Sequence, residues 1–264
     1  MSDDRLASAA RRLCQQRDRL EPFDGFPADE TPVDEAQAYA IQDMLHACLS
    51  ARGWGPLVGY KIGCTTPVMQ AFLGIPNPCA GGIFAGSVRH GEGEFEHDRF
   101  VRVGVECEVA VILGTDLPAE AAPFDRSRAA AAVAACAAAI EVVDDRYRDY
   151  RALTTPTLIA DDFFGAGCVL GTPVAGFDPF ALARTCAHMV IDGQTVGSGV
   201  GSDILGEPLD ALVWLAESLA RRGAGLQREQ VVLLGSLVQT HWVGRGADVW
   251  ITNDALGEVR AHFK

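Results

Sequence analysis

Apolar residues in the first fifth of the chain recur with the period of a helix. Leu6, Ala9, Ala10 and Leu13 share one side of residues 3–20, with charges opposite. A turn-rich connection follows over 22–32. A second helix is expected to open near Thr31-Pro32-Val33-Asp34, with proline and an acid in its first turn, and to run through Ala40, Ile41, Met44 and Leu45 to about Ser50. Gly53 and Gly55 end it. From Leu57 onward the pattern becomes short β-branched runs punctuated by glycine, which predict strands over 57–62, 84–87, 101–113, 140–144, 168–170, 189–191, 231–234 and 249–252. Two helical stretches interrupt them. One is alanine-rich, about 125–138; the other, about 208–222, opens on Pro208 and stops before Gly223. Strands outnumber helices without alternating with them, which disfavours a doubly wound parallel sheet. The expectation is an α+β fold: a rolled mixed β-sheet with an N-terminal helical region (1–56), a β-roll domain (57–264), and peripheral helices.

Composition narrows the function. With 48% hydrophobic and 22% charged residues over 264 positions, a packed globular core is expected and low-complexity disorder is not. A net charge of −13 argues against nucleic acid and against an anionic membrane surface, both of which need clustered Lys and Arg. A small anionic substrate stays compatible if a cation overrides the global field. The N-terminus shows no signal-peptide pattern. The longest apolar stretch, about 129–143, is interrupted by Glu141 and too short to span a bilayer. Eight scattered cysteines without C-x-x-C spacing suggest a reducing, cytoplasmic setting and no disulfide framework.

The candidate chemistry starts in the stretch from Val101 to Leu113. Its odd positions are all apolar or cysteine, while the even positions include Glu106 and Glu108. Period-2 alternation puts both carboxylates on one face, roughly 7 Å apart at their Cα atoms. Adjacent carboxylates repel each other unless a cation separates them, and Mg²⁺ or Mn²⁺ prefers such oxygen ligands. The alternative is a solvated strand face. Glu141 stands alone in an apolar run, where a carboxylate is costly unless it binds metal or pairs with an arginine such as Arg146. Lys61 lies in a strand-like run closed by Gly63. It is either a surface side chain or a lysine whose environment tunes it for proton exchange.

Several segments together resemble the fumarylacetoacetate hydrolase superfamily, in its branch of 2-keto-4-pentenoate hydratases and 4-oxalocrotonate decarboxylases. They are Ala38-Tyr-Ala-Ile-Gln42, Gly59-Tyr-Lys-Ile-Gly-Cys-Thr65, Leu73-Gly74, Val105-Glu-Cys-Glu108, Glu141-Val-Val-Asp-Asp-Arg146, Leu205-Gly-Glu-Pro-Leu209 with Val213-Trp-Leu-Ala216, and Leu234-Gly-Ser236. They follow family order from about residue 30 to the end. The resemblance implies a rolled mixed sheet, a Mg²⁺ or Mn²⁺ ion held by Glu106, Glu108 and Glu141, and Lys61 near the substrate as the catalytic residue. It also implies a homo-oligomer, alone or in complex with a sister decarboxylase or hydratase. The substrate would be a small anionic 2-oxo or 2-hydroxy acid that chelates the metal. The leading reaction is addition of water to a 2-hydroxy-2,4-dienoate; decarboxylation of a 2-oxo-diacid and C–C hydrolysis of an acylpyruvate are the alternatives. Two departures stand out. Gly86 replaces an acid common in hydratases, and Asp161-Asp-Phe-Phe164 replaces an Ala-Asp-Asn segment followed by small residues, which would make a bulkier, more apolar pocket.

Three further stretches or positions suggest other readings. The stretch from His90 to His97, rich in Glu, reads as a solvated turn region. Gly197-Ser-Gly-Val-Gly-Ser202 suggests a nucleotide loop, but lacks the third glycine of the fingerprint and the βαβ unit that should follow. The loss at Gly86 suggests a catalytically silent partner, against which stand Glu106, Glu108, Glu141 and Lys61.

Overall fold

The structure, a computed structural model, describes residues 1–264 apart from the side chain of Phe72. Helices α1 (Asp3–Arg19) and α2 (Glu35–Leu49) form on the expected apolar faces and bury Leu6, Leu13, Ile41 and Leu45. Helix α2 begins later than expected because Asp34 caps it, its carboxylate accepting the Gln37 N–H. A disulfide joins Cys14 of α1 to Cys48 of α2, with Cα atoms 6.6 Å apart. This corrects the expectation of no cross-link: two thiols 34 positions apart meet where the apolar helix faces cross, which spacing alone does not reveal.

Then follow β1 (Leu57–Gly63), α3 (Pro67–Leu73), β2 (Cys79–Phe84), β3 (Val88–His90), β4 (Glu92–Phe95), β5 (Val103–Leu113), α4 (Arg126–Ala132) and β6 (Val133–Asp144). The second half contains α5 (Thr155–Ala160), β7 (Gly165–Leu170), β8 (Val174–Ala175), β9 (Cys186–Ile191), β10 (Gln194–Val200), α6 (Pro208–Ala220), β11 (Val231–Ser236), β12 (His241–Trp242), β13 (Asp248–Asn253) and β14 (Gly257–Phe263). The strands form one mixed sheet in the order β10-β9-β13-β14-β4-β3-β7-β6-β5-β11-β1-β2, with β12 on β5 and β8 on β6. Three neighbouring pairs are parallel, β1/β11, β14/β4 and β3/β7. No helix among the described residues is long and apolar enough to cross a membrane.

Two local expectations fail for physical reasons. The alanine-rich helix stops at Ala132, and the chain runs on as β6. Alanine favours helix, but only by tenths of a kcal/mol over ordinary residues. Pairing with β5 from Val103↔Asp144 to Leu113↔Val133 outweighs it, and Ala135 to Ala139 are all buried in the sheet. Residues 85–87 form a 3₁₀ turn, while the strand lies earlier, at Cys79–Phe84. The glycine-rich stretch after residue 196 belongs to β10 and is no phosphate loop. A Cβ on Gly199 would lie 2.1 Å from the Leu237 carbonyl oxygen, and one on Gly197 would lie 2.2 Å from Val238 Cγ1. These glycines let β10 press against the 237–238 turn, which borders the site described next. The Glu-rich stretch includes the short strands β3 and β4, with Glu92 and Glu94 exposed on them.

Candidate metal centre

Adjacent antiparallel strands build the site. The β5/β6 register sets Glu106 opposite Glu141, and Glu108 follows two residues along on the same face. One oxygen from each of the three lies within 4.8 Å of those from the other two. Lys61 arrives from β1, two strands away from β5, and its Nζ stands 2.9 Å from Glu141 Oε1. Glu108, Glu141 and Lys61 are 1%, 1% and 3% exposed, so none is a solvated surface group. Arg146, the arginine that could have paired with Glu141, turns instead to Asp161, with its Nε 3.0 Å from Oδ2.

Donors hold two of the carboxylates. The Gly235 N–H donates to Glu108 Oε2 at 2.7 Å, and the Thr240 hydroxyl donates to Glu106 Oε1. Gly235 needs to be glycine: its φ is 139°, and a Cβ would meet Thr65 Oγ1 at 2.4 Å. Glu108 Oε1 and both Glu141 oxygens have no aligned hydrogen-bond donor among the described residues, and the Lys61–Glu141 contact is an ion pair rather than an aligned hydrogen bond. Burial pushes the Glu108 carboxyl well above its usual range, and Glu141 and Glu106 push the same way. Burial likewise raises Glu141, to about 7, with Lys61 opposing. Burial disfavours the Lys61 ammonium, but Glu141, Glu106 and Glu108 outweigh it and keep its pKa above the ordinary lysine value.

Three crowded carboxylates with orphaned buried oxygens are unstable as a metal-free set, because buried charge is costly unless compensated. An all-oxygen donor set of this charge fits a hard divalent cation. Through Lys61 and Glu106 the centre borders a cavity of about 560 Å³ whose lining also includes Thr65, Ser236, Thr240, Asp203, Phe163 and Phe164. The ring of Phe163 lies 5.2 Å from Lys61 Nζ. Gly63 makes room for it, since a Cβ there would fall 2.7 Å from the ring.

Sequence reasoning missed what holds that ring. Asp162, Phe163 and Phe164 all have positive φ (58°, 46° and 68°). Asp161 and Asp162 anchor them. Arg17 and Arg146 pair with Asp161 at 2.9 and 3.0 Å, while His46 Nε2 and the Gly82 N–H meet Asp162 Oδ1 at 2.5 and 2.9 Å. Thr240 was missed as well, and no sequence pattern marks it.

A profile described as fumarylacetoacetate (FAA) hydrolase C-terminal matches residues 88–264, about two thirds of the chain. The chain belongs to the fumarylacetoacetate hydrolase family. It is similar over its whole length to a 2-keto-4-pentenoate hydratase of Burkholderia vietnamiensis, with 37% identity and 99% of that protein covered. A 4-oxalocrotonate decarboxylase of a Pseudomonas species is 32% identical over 77% of each chain. The fold matches that of a 4-oxalocrotonate decarboxylase from Pseudomonas putida G7, solved with magnesium and adipate, at a TM-score of 0.93 and 22% identity over 100% of this chain and 99% of that one. Of the two departures from the family pattern, Gly86 lies outside the lining of this cavity. It sits in the turn after β2, where a Cβ would meet the Trp54 carbonyl oxygen at 2.8 Å. Phe163 and Phe164 are on the cavity wall.

Proposed function

We propose that the chain is a divalent-metal-dependent hydro-lyase that adds water to a 2-hydroxy-2,4-dienoate. The observation that carries this reading is the convergence of Glu106, Glu108 and Glu141 beside Lys61 at the wall of a cavity, in a chain alike over its full length to a hydratase. In this reading residues 57–264 form the catalytic unit, and residues 1–56 brace it through Arg17 and His46. Glu106, Glu108 and Glu141 hold Mg²⁺ or Mn²⁺, which when bound acts as a Lewis acid on the substrate's carboxylate and 2-oxygen.

The chain's own groups do the rest. The Thr240 hydroxyl and the Gly235 N–H each fix one carboxylate, leaving Glu106 and Glu108 an oxygen apiece for the ion. Lys61 Nζ carries the proton exchanged as the dienol becomes the 2-oxo form, and its place beside Glu141 keeps it charged between transfers. With Lys61 placing a proton on C5 to give the conjugated 2-oxo-3-enoate, Asp203, a further carboxylate on the wall, accepts the proton of the water that adds at C4 and returns it to C3, which balances the addition. Phe163 covers Lys61 and keeps bulk water from that side.

The test is to follow the ultraviolet absorbance of 2-hydroxypenta-2,4-dienoate with purified protein, with and without Mg²⁺, and to identify the product. The expected result is metal-dependent loss of the dienol with formation of a 4-hydroxy-2-oxo acid. Carbon dioxide release from a 2-oxo-diacid, with no water addition to the dienoate, would overturn the assignment. The reading extends to a cytoplasmic homo-oligomer, alone or with a sister decarboxylase, whose size analytical ultracentrifugation measures.

A further inference from the structure

The cavity wall is mixed, with Thr65, Thr66, Asp203 and Gln239 adding polar groups to those of the metal centre, but more of its side chains are apolar than charged. Around the carboxylates stand Lys61 and the hydroxyls of Ser236 and Thr240, while Val68, Met69, Leu73, Val143, Tyr150 and Trp242 make up much of the remaining wall with the two phenylalanines. Val68, Met69 and Trp242 are among the exposed large apolar side chains, so the apolar surface continues out to the rim. A volume of about 560 Å³ is in the range of pockets that enclose drug-sized ligands, far more than a five-carbon acid fills.

Lys61 is the single cation among the lining residues, and Glu141 already pairs with it. Arg102 lies outside the lining, 4.3 Å over the Trp242 ring and 3.3 Å from Asp145. A second carboxylate on a substrate would therefore add to the charge of Glu106 and Asp203 with no uncommitted cation among the lining residues to offset it. Burying it unpaired is costly, whereas an apolar tail gains by leaving water.

The aromatic part of this wall is held in place by its surroundings. Three successive non-glycine residues in the left-handed region persist only where their surroundings enforce it. Here the ion pairs of Asp161 and Asp162 do so from behind, and Gly81 and Gly63 open the space. A Cβ on Gly81 would meet the Asp162 carbonyl oxygen at 2.5 Å. The rings of Phe163, Phe164, Tyr147 and Tyr150 then pack edge to face at 5.2–5.6 Å.

Resting on the hydratase reading, we infer that the site takes a monoanionic 2-hydroxydienoate, or its 2-oxo tautomer, with an apolar alkyl or aryl substituent on the distal carbon. Phe163 and Phe164 determine this specificity, and diacids are rejected. The test compares kcat/KM, with Mg²⁺ present, for 2-hydroxypenta-2,4-dienoate and its 5-methyl, 5-phenyl and 5-carboxy analogues. One methylene in an apolar pocket is worth roughly 10–200-fold, so the 5-phenyl compound should exceed the 5-carboxy compound by about 100-fold or more. Phe164→Ala should cut the phenyl-to-parent ratio about tenfold, and Phe164→Lys should raise the carboxy-to-phenyl ratio by at least as much. If either variant fails to fold, the wild-type panel still decides.

Equal or better turnover of the 5-carboxy compound overturns the inference while leaving a hydratase that acts on the parent dienoate. If no dienoate is hydrated at all, the hydratase reading falls. Calorimetric binding of 5-phenyl-2-oxopentanoate against 2-oxoadipate, with Mg²⁺, then still reads the wall. Tighter binding of the phenyl acid by about tenfold upholds the specificity, and tighter binding of the diacid refutes it.

Discussion

Asp161 is the side chain whose loss should cost the fold most for the smallest change in shape. It is 2% exposed and its carboxylate serves Arg17 at 2.9 Å, Arg146 at 3.0 Å and the Tyr147 hydroxyl at 3.0 Å. Asp161→Asn keeps the volume and removes the charge, leaving two buried guanidiniums. Breaking a buried pair from one side typically costs about 3–5 kcal/mol. Several contacts survive the substitution: Arg17 keeps Asp162 at 3.3 Å, Arg146 keeps the Gly165 carbonyl at 3.2 Å, and both keep the residue-161 carbonyl at 3.1 and 2.9 Å. That places the expected loss at the lower end, about 3 kcal/mol. A chain of this size loses roughly 2–4 °C of Tm per kcal/mol, so calorimetry should show a drop of about 6–12 °C, and urea unfolding a matching fall in midpoint. Because the same carboxylate anchors the left-handed segment bearing Phe163, kcat/KM should fall too. A stability loss under about 1 kcal/mol would refute the argument, for it would mean the arginines find water or new partners at no cost.

Further outcomes follow from the centre itself. In chelator, Glu108→Gln should leave Tm unchanged or higher, since burial, Glu141 and Glu106 already disfavour that charge; Mg²⁺ at 100 times its Kd should then stabilise the wild type by about 2.7 kcal/mol and the variant not at all. A thermal-shift series checks both halves, and an equal Mg²⁺ shift in the variant would remove Glu108 from the ligand set. Lys61→Met should lower kcat roughly 10²–10⁴-fold while Mn²⁺ binding by calorimetry stays as tight or tightens, because Glu141 loses a competing cation. Abolished Mn²⁺ binding would make Lys61 structural. Burial opposes ionisation of Asp162, but His46, Arg17 and the Gly82 N–H prevail and hold its pKa below the ordinary 3.8. A depressed acid stabilises above its unfolded value and loses that stabilisation as pH falls through the folded one. The stability gap between wild type and Asp162→Asn should therefore be full at pH 5 and narrow progressively as the pH falls below about 4; a gap that widens in acid contradicts the sign.

The parts legible in the sequence were those written in local periodicity. Alternation over β5 put Glu106 and Glu108 on one face, and the helical stripe of Leu6, Ala9, Ala10 and Leu13 located α1. Alternation cannot say whether a face is wet or dry, and the burial of Glu108 and Glu141 depends on strands and loops arriving from far along the chain. Lys61 reaches Glu141 across 80 positions because β1 and β11 run parallel, and Arg17 reaches Asp161 across 144. No window of residues contains either pairing. The alanine run shows the opposite failure. Its local preference was real and was overridden by the long ladder to β5, where small side chains pack. The left-handed run at 162–164 carries no turn-forming glycine or asparagine, so its conformation follows from the buried charges around it rather than from its own composition.

The central claim is that Glu106, Glu108 and Glu141 together hold one divalent cation. Anomalous diffraction from crystals of the purified chain grown with Mn²⁺ tests it most directly. A single strong peak bound by one oxygen from each of the three side chains, on the cavity side and beside Lys61, is the predicted result. Manganese bound elsewhere, or these three carboxylates turned apart with no peak between them, would contradict it.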